Sequence, residues 1–104
     1  EAQKRGIPFH RVAELVSWNA AQRYGLRSKG TIEIGFDADL ALVDPDETWT
    51  VRAAESESAQ GYSPLEGHEL TGRVKHVFLR GIRMVEDGTV VGEPVGKYLK
   101  RPTD

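Results

Sequence analysis

At Gly30 the spacing of apolar residues changes from a helical to an extended period, and that switch constrains the fold most. Before it, Phe9, Val12, Leu15, Val16, Asn19 and Ala20 recur three and four residues apart, which sets them on one stripe of a helix. The spacing predicts a helix over residues 8–24. Pro8 suits its first turn, where a missing N–H costs nothing. Gly25 suits a left-handed cap, with Leu26 folding back over the last turn. After the switch, Thr31-Ile-Glu-Ile34 alternates as a half-buried strand does. Gly35 marks a turn or bulge. Residues 38–43 are largely apolar and read as a strand covered on both faces. Asp44-Pro45-Asp46 ends that strand, because proline cannot donate to a ladder and Asp favours turns.

Residues 48–51 read as a further short strand. Residues 53–60 could form a short helix, and residues 61–72, with three glycines and Pro64, read as loop. A meander follows: strands over 74–79, 82–85 and 89–91, with a turn at Arg80-Gly81 and another at Glu86-Asp87-Gly88. The second is of the Asp-Gly kind that closes hairpins. Residues 92–104 carry Gly92, Pro94, Gly96 and Pro102 and read as an extended tail. The expected class is mainly β with one N-terminal helix: five or six short antiparallel strands forming part of a sandwich or small barrel. A lone amphipathic helix is unusual there. Its stripe must bury against something, part of which lies outside the chain.

With 104 residues the natural expectation is one small domain with little margin for a core. The net charge of −2 leaves no electrostatic footprint for nucleic acid. The basic cluster at Lys97, Lys100 and Arg101 reads as a solvated tail. Zero cysteines exclude disulfide frameworks, thiolate zinc sites and Cys nucleophiles. No apolar run reaches the roughly 20 residues that span a bilayer. No signal-peptide pattern is visible, and a cytoplasmic protein is expected. The chain opens at Glu1 and its one methionine is Met84, which predicts a piece of something longer.

Several residues invite a chemical reading. Asp37 and Asp39, two apart on an extended segment, would face one side and could bind metal or exchange protons. The plainer reading has Asp37 closing a turn and Asp39 holding nearby backbone amides. The segment lacks the glycine and distal glutamate of a calcium loop. His10, His68 and His76 form no His-x-His or helical His-x₃-His pair, so each reads as structural or solvated. Gly25-Leu-Arg-Ser-Lys-Gly30 has phosphate-loop glycine spacing but lacks the Gly-Lys-Ser/Thr ending. Ser17, Ser28, Ser56, Ser58 and Ser63 have no nucleophile-elbow context. Trp18 and Trp49 read as core or interface residues rather than a stacking platform. From the residues alone, the chain carries no catalytic, cofactor-binding or metal-ligating residue of its own.

Four segments, taken in order, resemble the C-terminal end of the cyclic amidohydrolases: dihydroorotase, allantoinase and hydantoinase. The first is Leu15-Val-Ser-Trp-Asn-Ala-Ala-Gln-Arg-Tyr-Gly-Leu26, with Lys29-Gly-Thr-Ile-Glu-Ile-Gly-Phe-Asp-Ala-Asp-Leu-Ala-Leu-Val-Asp44. The second is Tyr62-Ser-Pro-Leu-Glu-Gly-His-Glu-Leu-Thr-Gly72. The third is Val77-Phe-Leu-Arg-Gly81 with Val85-Glu-Asp-Gly88. The fourth is Gly92-Glu-Pro-Val-Gly96 running into Tyr98-Leu-Lys-Arg-Pro102. One departure is Asn19-Ala20-Ala21, where the family usually has Asn-Pro-Ala.

The resemblance implies a parent enzyme that opens cyclic amides by metal-assisted hydrolysis at the mouth of a (β/α)₈ barrel. It implies zinc or another divalent metal in the parent and none in this chain. Residues 1–26 would then be the last barrel-type helix. Residues 27–104 would be the C-terminal part of a β-sandwich with an extended tail. The implied partners are the missing N-terminal barrel and sandwich strands, and self-association is expected when the chain stands alone. No metal ligand of the family motif transfers to any residue here. The alternative is a free-standing β-sandwich interaction module without catalysis, using an open sheet edge and the helix stripe.

Overall fold

The computed structural model describes residues 1–102; Thr103 and Asp104, the end of the expected tail, lie outside the described residues. One helical run extends from Phe9 to Tyr24 in three parts: α1 (Phe9–Ala13), a wider π-helical turn (Glu14–Trp18) and α2 (Asn19–Tyr24). Pro8 is not in the first turn. It is the extended cap residue (φ −68°, ψ 151°), and its carbonyl accepts from Arg11 and Val12 N–H. The far end closes as the sequence predicts. Gly25 is left-handed (φ 69°), its N–H bonds Gln22 O at 3.2 Å, and Leu26 N–H bonds Ala21 O at 2.9 Å. These paired bonds satisfy carbonyls that a bare helix end would leave open.

Four strands follow, β1 (Leu40–Thr50), β2 (Glu69–Leu79), β3 (Ile82–Glu86) and β4 (Thr89–Val90), with sheet order β1-β2-β3-β4. The sheet is antiparallel, and Val85 pairs with Val90 and Glu86 with Thr89. Both tight turns are legible: Arg80 and Asp87 each take φ 47°, followed by Gly81 at 80° and Gly88 at 79°. Two consecutive left-handed residues match the twist of a hairpin.

Three expectations need correction. Residues 31–34 form no strand; an alternating pattern without a ladder partner does not make one. Residues 38–43 and 48–51 are not two strands separated at Pro45 but parts of the single strand β1. The break fails because β1 lies at a sheet edge, where a missing N–H is tolerated. Residues 69–72, expected as loop, belong to β2. Their pairing with the end of β1 recruits them: Trp49 Nε1 donates to Gly72 O at 2.9 Å and Val51 N–H to His68 O at 2.9 Å. In residues 53–60 only a 3₁₀ turn, Ala53–Glu55, forms.

The chain divides into two compact units. The first contains residues 1–40, Phe78–Ile82 and the residues from Glu93 onward; the second contains Ala41–Val77 and Arg83–Gly92. In the first, the loop after the helix doubles back across it at Gly30. A Cβ on Gly30 would lie 2.7 Å from Ala21 Cβ, 3.1 Å from Ser17 O and 3.2 Å from Trp18 Cα, and its φ is +97°. Ala21 is the one buried apolar residue among those described. The helix stripe of Phe9, Leu15 and Val16 is exposed. The second unit has no fully buried apolar side chain among its described residues. The accessible surface is 8484 Å². A self-contained chain of this mass exposes about 5,800 Å².

The crossing at Gly30 yields a prediction. Gly30→Ala should cost about 2 kcal/mol, from overpacking against Ala21 together with the left-handed backbone. Urea unfolding followed by helix circular dichroism measures it, and an unchanged midpoint would contradict the close approach.

Candidate functional site

The densest constellation of charge in the first unit is Lys29 with Asp37 and Asp39. Gly30 (φ 97°) and Gly35 (φ 93°) let residues 30–36 double back, so that Lys29 meets carboxylates eight and ten positions later. Its Nζ lies 3.0 Å from Asp37 Oδ2 and also binds Asp39 Oδ2. Ser28 Oγ donates to Asp37 Oδ2 at 2.9 Å, while Asp37 N–H donates to Ser28 O at 2.9 Å. The other oxygen of Asp39 accepts the N–H of Arg80 at 2.8 Å, and Gly81 N–H bonds Ala38 O at 3.0 Å. Loop 28–39 is thereby fastened to the Arg80-Gly81 turn. The Arg80 guanidinium in turn donates to Val95 O, which pins the start of the tail.

All three side chains are shifted away from neutral pH. The Lys29 ammonium beside Asp37, aided by the Ser28 hydroxyl, holds that carboxyl below its usual range. Partial burial pushes Asp39 up, but the Lys29 ammonium and the Arg80 N–H outweigh it and the net shift is downward. Asp39 hydrogen-bonded to Lys29 raises the lysine, against a smaller opposing effect of burial. A general acid or base works best with a pKa near the operating pH. This cluster holds two carboxylates ionised and one amine protonated, which suits a fastening and not proton transfer.

A second network lies in the other unit. Lys75 Nζ sits 2.9 Å from Glu47 Oε2 and 3.0 Å from Asp87 Oδ1. The Lys75 contact draws Asp87 below its usual value, and Glu47, followed by Asp87, raises Lys75. The Arg73 guanidinium lies 5.4 Å from the Trp49 ring centre. Both networks hinge on a lysine. Neither is visible in local spacing, because Lys75 meets Glu47 28 residues away. Lys29 had a weak signal in its position before a glycine-bounded loop that carries two Asp.

The remaining candidates are dispersed. His10 is exposed on α1, and His68 uses its backbone to bond Leu65 and Val51. His76 Nδ1 accepts the N–H of Asp87 at 3.3 Å. Ser56, Ser58 and Ser63 hydroxyls each accept a backbone N–H two residues on, the ordinary work of turn serines. Among the described residues no three His, Cys, Asp or Glu side chains stand close enough to hold a metal ion. Asp37 and Asp39, the one close carboxylate pair singled out from sequence, are already tied to a cation. The residues present do not fit a metal centre.

The profile of the amidohydrolase family matches residues 2–90. The chain belongs to that family, on its cyclic-amide branch of allantoinases, hydantoinases and dihydroorotases. It is 44% identical over 96 residues to an allantoinase of Rubrobacter xylanophilus, covering 92% of this chain and 21% of that protein. A D-hydantoinase of Ralstonia pickettii is 41% identical over 97 residues, covering 91% and 21%. A solved D-hydantoinase structure superposes with a TM-score of 0.90 at 39% identity, covering 96% of this chain and 22% of that one. The chain therefore spans about a fifth of the length of the relatives it matches.

The charge cluster makes a pH prediction. Depressed carboxylates stabilise the fold above about pH 3.9 and lose that effect as pH falls through their lower folded values. A raised lysine stabilises below about pH 10.4 and loses its effect above. The fastening should therefore hold from about pH 4 to about pH 10. In an NMR titration, the Arg80 amide of the wild type should move only below the ordinary Asp range. In Lys29→Met the midpoint should rise. An unchanged midpoint would show that Lys29 does not set the Asp39 ionisation.

Proposed function

We propose that this chain is a structural segment of a metal-dependent hydrolase that opens cyclic amides, dihydroorotase- or allantoinase-like, and is itself inactive. The observation that carries the reading is the extent of the likeness: nearly all of this chain matches, and only a fifth of each relative is used. The metal, zinc or another divalent ion, belongs in this reading to the part of the parent outside these residues. Residues 1–26 serve as the last helix of the barrel, and residues 27–104 as the C-terminal part of the adjoining sandwich with its tail. The missing barrel and sandwich strands are the partners. No described helix is long and apolar enough to cross a membrane, and a cytoplasmic setting accords with that.

The exposed apolar surface supports the same reading. Ile32 and Ile34 are 87% and 103% exposed, alongside Phe9, Leu15 and Val16. Free-standing monomers rarely leave so much apolar surface uncovered. In the parent these residues meet other parts of the polypeptide. In isolation they should drive self-association instead.

Two measurements test this. Incubated with zinc, the 104-residue chain should turn over none of dihydroorotate, allantoin and hydantoin; measurable hydrolysis of any one sinks the claim of inactivity. Light scattering on the isolated chain should give a mass above that of a monomer and rising with concentration. A clean 11.5 kDa species would count against the uncovered surface driving assembly.

A further inference from the structure

The sheet has two edges, and they differ. β4 is only Thr89–Val90, followed by Gly92 and Pro94. β1 is eleven residues long and is paired with β2 alone. Its second half is closed to a new strand. Pro45 has no N–H, and the Asp44 carboxylate accepts those of Asp46 (2.9 Å) and Glu47 (3.2 Å). Residues 40–43, Leu-Ala-Leu-Val, are different: apolar, with Leu42 and Val43 48% and 54% exposed. The carbonyl of Ala38 faces the turn beyond β2, where it accepts from Gly81 N–H. Alternation then turns the peptide groups of Leu40 and Leu42 toward β2 and those of Ala41 and Val43 outward. A long, apolar, unpaired edge of this kind is a template for another strand.

We infer that residues 40–43 receive an added β-strand, and that its source is the parent polypeptide outside this chain. The inference rests on the reading of the chain as one segment of a longer hydrolase. Relatives five times longer supply ample chain for the purpose. Charge argues against a second copy as occupant. In the antiparallel register that pairs Leu40 with Val43 and Ala41 with Leu42, Asp39 of one copy stands opposite Asp44 of the other. Like charges directly opposite are destabilising. The edge is flanked by Asp44 and Asp46, so the occupant is an extended apolar stretch of about four residues with neutral or basic flanks.

The test grafts this chain into the Ralstonia pickettii D-hydantoinase in place of its matching fifth and compares amide exchange with that of the isolated chain. In an active chimera the Ala41 and Val43 amides should exchange about a hundredfold more slowly than in the isolated chain, as newly paired N–H groups do. Ala41→Pro removes an outward N–H, which an unpaired edge tolerates. It should leave the circular dichroism of the isolated chain unchanged and lower the thermal midpoint of the chimera. An active chimera with Ala41 and Val43 still exchanging fast overturns the edge inference and leaves the parent reading standing. A wild-type chimera that fails to assemble overturns the parent reading and the inference with it. Concentration-dependent protection of Ala41 and Val43 in the isolated chain would make a second copy the occupant, and would overturn the assignment to the parent.

Discussion

The ammonium of Lys29 organises the first unit. One cation takes two carboxylates, and each carboxylate spends its remaining capacity on the chain: Asp37 on Ser28, Asp39 on the Arg80 N–H. Without the cation, two anions two residues apart would repel each other at the base of the loop. With it, residues 28–39 become a rigid connection from the helix to the sheet. Gly30 makes the connection feasible from the other side, since its missing Cβ is what lets the loop lie against Ala21 and Trp18. Polar fastening here does the positioning that a core usually does, because the core is nearly absent.

That absence has one consistent cause. Ala21 is the lone buried apolar residue among those described, while Ile32, Ile34, Phe9 and Val16 face outward. A sequence patterned for burial has kept its pattern without its counterpart. The helix stripe is correctly periodic and the sheet correctly alternates, so the local rules are satisfied. What is missing is the second layer that domains require around one core. A chain covering a fifth of its relatives accounts for it.

What the sequence disclosed follows the same division. The helix over residues 9–24, its Gly25 cap and the turns at Arg80-Gly81 and Asp87-Gly88 were legible, because each depends on residues within a few positions. Pro45 misled: it breaks an internal strand, but whether β1 is internal depends on partners far along the chain. Residues 31–34 misled for the converse reason. Their alternation is real, and Ile32 and Ile34 do share a character, but a strand needs a neighbour to bond. Lys29 as a hub was the hardest to see. Its link to Asp37 is loop-closed by two glycines, and Asp39 reaches an amide 41 residues on.

Asp37 and Asp39 show why direction of perturbation decides what a carboxylate pair can do. Two acids side by side in a catalytic site push one another's pKa apart, leaving one protonated near neutrality. A cation placed between them does the opposite and draws both down together. Neither then has a proton to give at pH 7, and both are too well satisfied to take one. The same occupancy denies them to a metal: binding one would require displacing an ammonium that is itself only 14% exposed and would be left unpaired. A motif dense in aspartates within a hydrolase family invites a catalytic assignment. Here the lysine in their midst argues against it, and makes the pair a structural joint between helix and sheet.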